Sequence, residues 1–181
     1  MSAARLTEGD RTHARRAGRA LLAGALGLAC VTAAHAEGRI GIPAGAPPAF
    51  VQECAACHLA YPPGMLPAPS WQRIMSGLDK HFGTDASLDT ATTQQLAAWL
   101  RAHAGTYKRV REEPPQDRIT RTAWFERKHR QIQSATWNLA SVKSAANCAA
   151  CHTGATRGDF NEHNIQFPAG MTPAMRRYWQ D

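Results

Sequence analysis

The pentapeptide Cys-Ala-Ala-Cys-His occurs twice in this 181-residue chain, at residues 54–58 and 148–152. Cys-x-x-Cys-His is the attachment signal of a c-type haem. Two thiolates at this spacing can add to the two vinyl groups of one haem, and the histidine that follows offers a neutral imidazole to the iron. Such a haem is a large apolar disc attached to the chain at two points, so it must be packed inside the fold. We predict haem attachment at Cys54, Cys57, Cys148 and Cys151, with His58 and His152 as proximal iron ligands.

A single zinc ion held by the four cysteines is the main alternative, because half a zinc site also has the pattern Cys-x-x-Cys. Such a site would leave the two trailing histidines without a role. It would also have to close a gap of about ninety residues between the motifs. The repeated histidine therefore favours two haems over zinc or disulfides.

Residues 1–36 are predicted to be a secretory signal peptide. Arginines lead into an apolar run over residues 21–33, and Ala34-His35-Ala36 provides a small-x-small cleavage site. The run is short and interrupted by glycine, unlike a good membrane-spanning helix. An uncleaved anchor and lipid attachment at Cys30 are the alternatives. Cytochrome c maturation attaches haem after export, so we predict a periplasmic protein.

Cleavage after Ala36 leaves residues 37–181, the size of one domain. No long apolar segment follows in the sequence, so we expect no membrane span in the mature chain. The precursor carries a net charge of +7. Removing five arginines and two acidic residues with the leader leaves sixteen basic and twelve acidic residues, or +4. Four haem propionates would offset this excess, so nucleic-acid binding is not expected, and the basic residues suit a docking face for a redox partner.

Helical spacing of apolar residues dominates the chain, and strand alternation is scarce. Ser70 is predicted to cap a helix with an apolar face that runs from Trp71 to Phe82, and Gly83 to end it. A second helix is predicted over residues 92–104, and Thr120 or Thr122 as the cap of a third. The fold class is therefore mainly α: a single small domain of short helices and irregular chain wrapped around two covalent haems.

Within this domain the two motifs define two halves. The first haem half spans about residues 49–105 and the second about residues 120–168. Residues 106–119 are charged and contain two adjacent prolines, which indicates an exposed linker. Residues 169–181 form a C-terminal tail, in which Thr172-Pro173 is predicted to cap a short helix.

The sixth iron ligand decides the function, because a strong ligand makes an electron-transfer haem and an empty position can bind small molecules. His81 follows His58 by 23 residues, and His129 precedes His152 by 23 residues. Both lie on predicted apolar faces, where an unliganded imidazole would need another polar partner. We predict His81 and His129 as the distal ligands.

Other side chains remain rivals for these positions. His103 shares a predicted helix face with Leu96 and Leu100, and His163 lies in a polar loop. Met65 lies too close to His58 to pass around to the opposite haem face, and Met75 is expected to be a core residue. Met171 and Met175 are the other methionines after the leader. A core histidine bonded to a carbonyl or a propionate is the alternative role for His81 and His129.

The linked segments resemble the small dihaem cytochromes c of the DHC family over roughly residues 49–168. The resemblance joins the two haem motifs to Tyr61-Pro62-Pro63, Pro67-Ala68-Pro69-Ser70-Trp71, His81-Phe82-Gly83 with Asp85-Ala86-Ser87-Leu88, Lys128-His129-Arg130, and Gly158-Asp159-Phe160. The chain departs from the family pattern at Met65, where leucine is expected. It also departs from residue 167 onward, where a more basic ending is expected.

This resemblance implies a periplasmic electron carrier with two low-spin haems, each held by two histidines, and it places His81 and His129 as the distal pair. It also implies redox partners such as a small oxygen-binding c-type haem protein or a membrane cytochrome b. Two alternatives stay open: a dihaem enzyme or gas-binding protein with one open iron, and a stable subunit of a membrane cytochrome complex. Four spare histidines for two positions, and no evident acid–base cluster, favour a carrier that is not an enzyme.

Overall fold

The structure is a computed structural model that describes residues 40–106 and 108–179, all within the unit Glu37–Asp181. The predicted leader lies outside these residues. In the described part, the chain forms helices and irregular segments without a β-strand, which confirms the mainly α fold. The α-helices are α1 (Pro48–Cys54), α2 (Ala68–Ser76), α3 (Thr90–His103), α4 (Ala123–Lys128), α5 (Ser134–Trp137) and α6 (Pro173–Arg176). The 3₁₀ turns are Pro63–Met65, Leu78–Lys80, Lys108–Val110, Pro115–Asp117, Ile119–Arg121, Cys148–Ala150, Ala155–Arg157, Glu162–Asn164 and Arg177–Trp179.

Helices α2 and α3 pack together and form the core beside the first motif. The side chain of Asp89 accepts the backbone N–H of Thr92 at 3.0 Å and caps α3. Apolar residues at helical spacing then turn inward, because burying them releases water from their surfaces. The buried core consists of Phe50, Ala60, Leu66, Trp71, Met75, Leu96 and Leu100.

Helix α2 differs from its predicted limits at both ends. It begins after Pro67, with a proline in its first turn, and Ser70 lies buried inside it, so the predicted cap at Ser70 is wrong. It ends before Gly77, where the backbone leaves helical geometry. Phe82 is 47% exposed and has a φ of 50°, so it does not extend the apolar face. The apolar periodicity of the sequence continues to Phe82, but the helix ends before Gly77. Periodicity alone therefore did not predict where α2 ends.

The predicted exposed linker is partly buried, which corrects that expectation. Val110 and Pro114 are buried. Arg73 on α2 forms ion pairs with Glu113 and Asp117, which lie in this segment. The segment therefore packs against the first half of the molecule.

Asp117 should make the stability of the protein depend on pH. Arg73 Nη2 and Nε donate hydrogen bonds of 2.6 and 2.9 Å to its two oxygens and hold the pKa of the Asp117 carboxyl below its ordinary value. The stabilisation is therefore present above the ordinary carboxyl pKa of about 4 and is lost as pH falls through the folded-state value.

We expect Asp117→Asn to lower the free energy of unfolding by up to about 1 kcal/mol at neutral pH. Asparagine tolerates the φ of 56° at this position, so the backbone should be preserved. Denaturant unfolding of both proteins across a series of pH values measures the effect. The difference between them should shrink on acidification, and a growing difference would contradict this account.

Helix α4 begins at the predicted cap residue Thr122, whose side chain is buried. Its Oγ1 accepts the backbone N–H of Phe125 at 3.1 Å and donates to the carbonyl of Ile119 at 2.9 Å. These two bonds join α4 to the preceding turn.

We expect Thr122→Ala to lower the free energy of unfolding by about 1 kcal/mol, because it removes the cap. Thr122→Ser keeps the hydroxyl and is the matched control, with a smaller loss. Denaturant unfolding of the three haem-loaded proteins tests this. Equal losses in the two variants would assign the effect to packing of the methyl group.

The chain around the start of the C-terminal tail is hydrogen-bonded to the second half of the molecule. The backbone N–H of Gln166 donates to the carbonyl of Cys151 at 2.8 Å, and Ser141 Oγ donates to the carbonyl of Ala169 at 2.6 Å. Thr172 accepts the N–H of Met175, which confirms the predicted cap of α6. The Ser141 bond therefore attaches the start of the tail to the second half of the molecule.

Candidate functional site

The first attachment motif begins at the end of α1. Cys54 is the last residue of this helix, and Cys57 and His58 lie in the turn that follows. His58 Nδ1 lies 2.7 Å from the carbonyl of Leu59. A carbonyl can only accept a hydrogen bond, so Nδ1 carries the proton and Nε2 keeps its lone pair for a metal.

The His81 ring faces the His58 ring across the predicted haem position. The ring centroids are 6.1 Å apart and the ring planes are inclined by 23°. The sequence predicted His81 in the last turn of a helix. In the structure, His81 instead lies just after the 3₁₀ turn Leu78–Lys80. Hydrogen bonds from the His81 N–H to the Leu78 carbonyl and from the Thr84 N–H to the His81 carbonyl hold this turn.

The second motif forms the 3₁₀ turn Cys148–Ala150 and continues into Cys151 and His152. The His129 ring faces His152, with 6.2 Å between centroids and 78° between planes. His129 Nδ1 donates to the carbonyl of Phe125 at 2.9 Å, so its Nε2 is also left free. Its ring stacks on Phe125 at 3.9 Å, and this fixes the direction of the imidazole.

Both ring separations fit two imidazoles on one iron. Two metal–nitrogen bonds of about 2 Å, with about 1 Å from each nitrogen to its ring centre, give roughly 6 Å between centroids. His152 Nδ1 is buried without a hydrogen-bond partner among the described residues. Ligation of a metal through Nε2 would leave this nitrogen unpaired, so the ring separations carry the assignment. Each histidine pair could therefore hold the iron of one haem.

The surroundings of His81, His129 and His152 lower their pKa values and so favour the neutral imidazole, which is the form that binds a metal. Burial lowers the pKa of His81, and the nearby His58 ring lowers it further. Burial also lowers the pKa of His129 and of His152. Ligands with lowered pKa values lose less free energy to proton competition at neutral pH.

Three of the four predicted attachment cysteines lie in surroundings that disfavour a thiolate. Burial raises the pKa of Cys54 and of Cys148 to about 11. Cys151 is buried as well, and burial raises its pKa. Since the thiolate is the reactive form, these three thiols would react slowly in the folded chain. Attachment of haem before folding is chemically favoured.

The structure does not bring together a site for the zinc alternative. Among residues 40–106 and 108–179, no group of three or more histidine, cysteine or acidic side chains could hold a metal ion. The four cysteines there are free thiols in two separate motifs.

The weaker ligand candidates lie elsewhere. His103 is exposed at the end of α3, with Nδ1 on the carbonyl of Trp99, and His163 is exposed in the turn Glu162–Asn164. Met65 and Met75 are buried, and Met75 lies on α2 in the core. Met171 is buried in the C-terminal tail, and Met175 is half-buried in α6.

Aromatic side chains support the histidines, and the sequence did not predict all of them. Tyr61, part of the Tyr61-Pro62-Pro63 segment shared with the family, stacks on His58 with 4.9 Å between ring centroids. The ring centroid of Phe160 lies 5.5 Å from that of His152, and the ring centroid of Trp137 lies 6.1 Å from that of His129. The four-residue spacing from Phe125 to His129 could have predicted their stacking, but no local signal links Phe160 to His152.

No helix in the described part of the chain is long and apolar enough to cross a membrane.

Comparison with known proteins identifies the family. A family model described as DHC, dihaem cytochrome c, matches residues 50–160. The experimental structure of a dihaem cytochrome c from Shewanella baltica is 35% identical, with a TM-score of 0.59, and the match covers 66% of this chain and 91% of that one. A crystal structure of DHC from Rhodobacter sphaeroides is 43% identical, with a TM-score of 0.55, and the match covers 64% of this chain and 97% of the other.

A second structure of the Rhodobacter sphaeroides dihaem cytochrome c is 42% identical, with a TM-score of 0.56, and the match covers 64% of this chain and 98% of that one. A comparison with curated proteins finds no similar sequence. The family model spans both haem motifs and all four facing histidines, and more than half of the chain. The chain therefore belongs to the DHC family of dihaem cytochromes c and carries two c-type haems.

Proposed function

We propose that this protein is an exported electron carrier in which each haem iron is held by two histidines, His58 with His81 and His152 with His129. The two facing imidazole pairs, with centroids 6.1 and 6.2 Å apart, are the observation that supports this proposal. A haem so held supplies one-electron oxidation and reduction without an open position for a substrate. We therefore propose a carrier without catalytic activity.

The chain contributes ligands, orientation and a low-dielectric environment to this role. Hydrogen bonds from Nδ1 to the carbonyls of Leu59 and Phe125 orient His58 and His129 and leave Nε2 of each ring as the electron donor to a metal. Two histidine ligands favour a lower reduction potential than a histidine and a methionine. Burial of Met65 and Met75, with Met75 in the core, supports the histidine assignment.

The periplasm is the proposed location, supported by the export signal predicted over residues 1–36 and by covalent haem attachment. The proposed partner is another redox protein. Exposed cations offer it a docking surface: Lys80 and Arg118 lie beside the exposed ring of Phe82, and the Arg118 guanidinium is 4.5 Å from that ring. Because Phe82 follows the proposed distal ligand, this edge is a short route to the first haem.

An optical spectrum recorded with and without carbon monoxide tests the proposal. We expect two low-spin haems that do not respond to carbon monoxide and that titrate reversibly in two one-electron steps. A high-spin band or a carbon monoxide shift in the wild-type protein would instead support an open iron. Co-purification with a membrane cytochrome would distinguish a bound subunit from a free carrier.

A further inference from the structure

Tyr61 connects the proximal ligand of the first haem to the attachment loop of the second. Its ring stacks on His58, with 4.9 Å between centroids and 26° between planes. Its hydroxyl donates a hydrogen bond of 2.7 Å to the backbone carbonyl of Ala146, which is 85 positions away in the chain. Ala146 lies two residues before Cys148, an attachment site of the second haem.

The acceptor carbonyl is tied directly to that cysteine. The backbone N–H of Cys148 donates to the same Ala146 carbonyl at 3.0 Å. The loop is held in place on both sides: Ser144 Oγ accepts the Ala146 N–H at 3.0 Å, and Asn147 Nδ2 donates to the carbonyl of Val142 at 3.0 Å. The Tyr61 hydroxyl therefore meets an acceptor with a fixed direction.

We propose that Tyr61 is the bridge through which the two haems exchange electrons, by way of the His58 ring, the Tyr61 ring, its hydrogen bond to Ala146 and the backbone to Cys148. This inference rests on the proposed function of electron transfer. Electronic coupling falls more steeply across empty space than through bonds and hydrogen bonds. A route made of one ring contact, one short hydrogen bond and a few covalent bonds is therefore favoured.

The chemistry at the bridge is simple. With both haems bound, one electron would pass from the reduced haem to the oxidised haem, and no covalent bond would form or break. Tyr61 keeps its phenolic proton and is not itself oxidised. A phenol has an ordinary pKa of about 10, so the hydroxyl is protonated and remains a donor at neutral pH.

Tyr61→Phe is the decisive variant, because it keeps the ring against His58 and removes only the hydroxyl. We expect the rate of electron exchange between the haems to fall several-fold while both haems stay low-spin. The rate is measured in the half-reduced protein from the exchange broadening of haem-methyl signals in NMR spectra. Ser141→Ala is the matched control, since it removes another hydroxyl-to-carbonyl bond, to Ala169, away from the histidines.

The hydrogen bond itself is measured by labelling alanine carbonyls with ¹³C. The Ala146 signal should shift in Tyr61→Phe and stay in place in Ser141→Ala. An unchanged Ala146 signal or an unchanged exchange rate in Tyr61→Phe would overturn the bridge. Slowing in Tyr61→Leu but not in Tyr61→Phe would also overturn it, because ring packing alone would then carry the effect.

The bridge and the proposed function fail in different ways. Two carbon monoxide-insensitive haems with an exchange rate that ignores the Tyr61 hydroxyl would remove the bridge and leave the carrier role. A wild-type protein with a carbon monoxide-binding haem would remove the carrier role, and the exchange rate of Tyr61→Phe would still decide the bridge.

Discussion

Replacing His81 with alanine is expected to turn one of the two haems high-spin and open its iron to carbon monoxide. The His81 ring faces His58 at 6.1 Å, and alanine cannot reach the iron from the same backbone position. The exchangeable ligand that remains would be water, which binds more weakly than imidazole. Half of the haem absorbance should then shift on addition of carbon monoxide, and the potential of that haem should rise.

His129→Ala should produce the same change at the other haem. His103→Ala is the matched control, because this exposed imidazole bonds to the carbonyl of Trp99 and faces no other histidine in the described residues. Optical and electron paramagnetic resonance spectra of the three variants, with and without carbon monoxide, measure the outcome. If the His81 and His129 variants both remain fully low-spin, these histidines are not the distal ligands.

The two proposed distal histidines are held in different ways, so the two variants should differ in stability. His129 donates to Phe125 and stacks on its ring, whereas His81 lies in a turn stabilised by backbone hydrogen bonds. Loss of His129 leaves the Phe125 ring without its stacked neighbour and should lower the free energy of unfolding more than loss of His81. Thermal unfolding of the two variants compares these losses.

Several features could be predicted from short patterns in the sequence. The two motifs and the equal 23-residue separations indicated four histidines, and the structure brings them together as two facing pairs. Helical periodicity located the core of α3, and a hydroxyl before an apolar run located the cap of α4. The haem motifs, the helix face and the cap each depend on residues only a few positions apart, so a local sequence pattern can predict them.

The remaining features depend on contacts between distant residues. Periodicity placed His81 at the end of a long helix, but Gly77 ends α2 and the turn that follows presents the imidazole. The segment 106–119 resembled an exposed linker because its charges are dense, yet Arg73 draws two of its carboxylates onto α2. The hydrogen bond from Tyr61 to Ala146 likewise has no local sequence signal. Hydrophobic periodicity predicts which side of a helix is buried, but not which distant atom that side will contact.

Gly158→Ala is expected to be strongly destabilising, because this residue joins the start of the described chain to the second haem half. The Gly158 carbonyl accepts the backbone N–H of Ile40 at 2.9 Å. A Cβ at Gly158 would lie 2.6 Å from the Cα of Gly41 and 2.9 Å from its nitrogen. These atoms belong to the backbone, so relief requires one chain segment to move away from the other.

Gly158 also has a φ of 74°, which is unfavourable for alanine by about 1–2 kcal/mol. Gly45 separates the two effects, because its φ is 78° and a Cβ there would meet nothing within 4 Å. Gly45→Ala should therefore lose about 1–2 kcal/mol of unfolding free energy. Gly158→Ala should lose about 1–3 kcal/mol more, the usual cost of forcing atoms into a packed site.

Denaturant unfolding of the haem-loaded proteins, followed by tryptophan fluorescence and by far-ultraviolet circular dichroism, measures both losses. Displacement of the backbone at Gly158 should also disturb the chain that follows it. Amide exchange should therefore become faster at Gln166, whose N–H donates to the Cys151 carbonyl. Gly45→Ala should leave that amide protected. Equal losses in the two variants would show that the backbone conformation, and not the close approach to Gly41, makes glycine necessary at position 158.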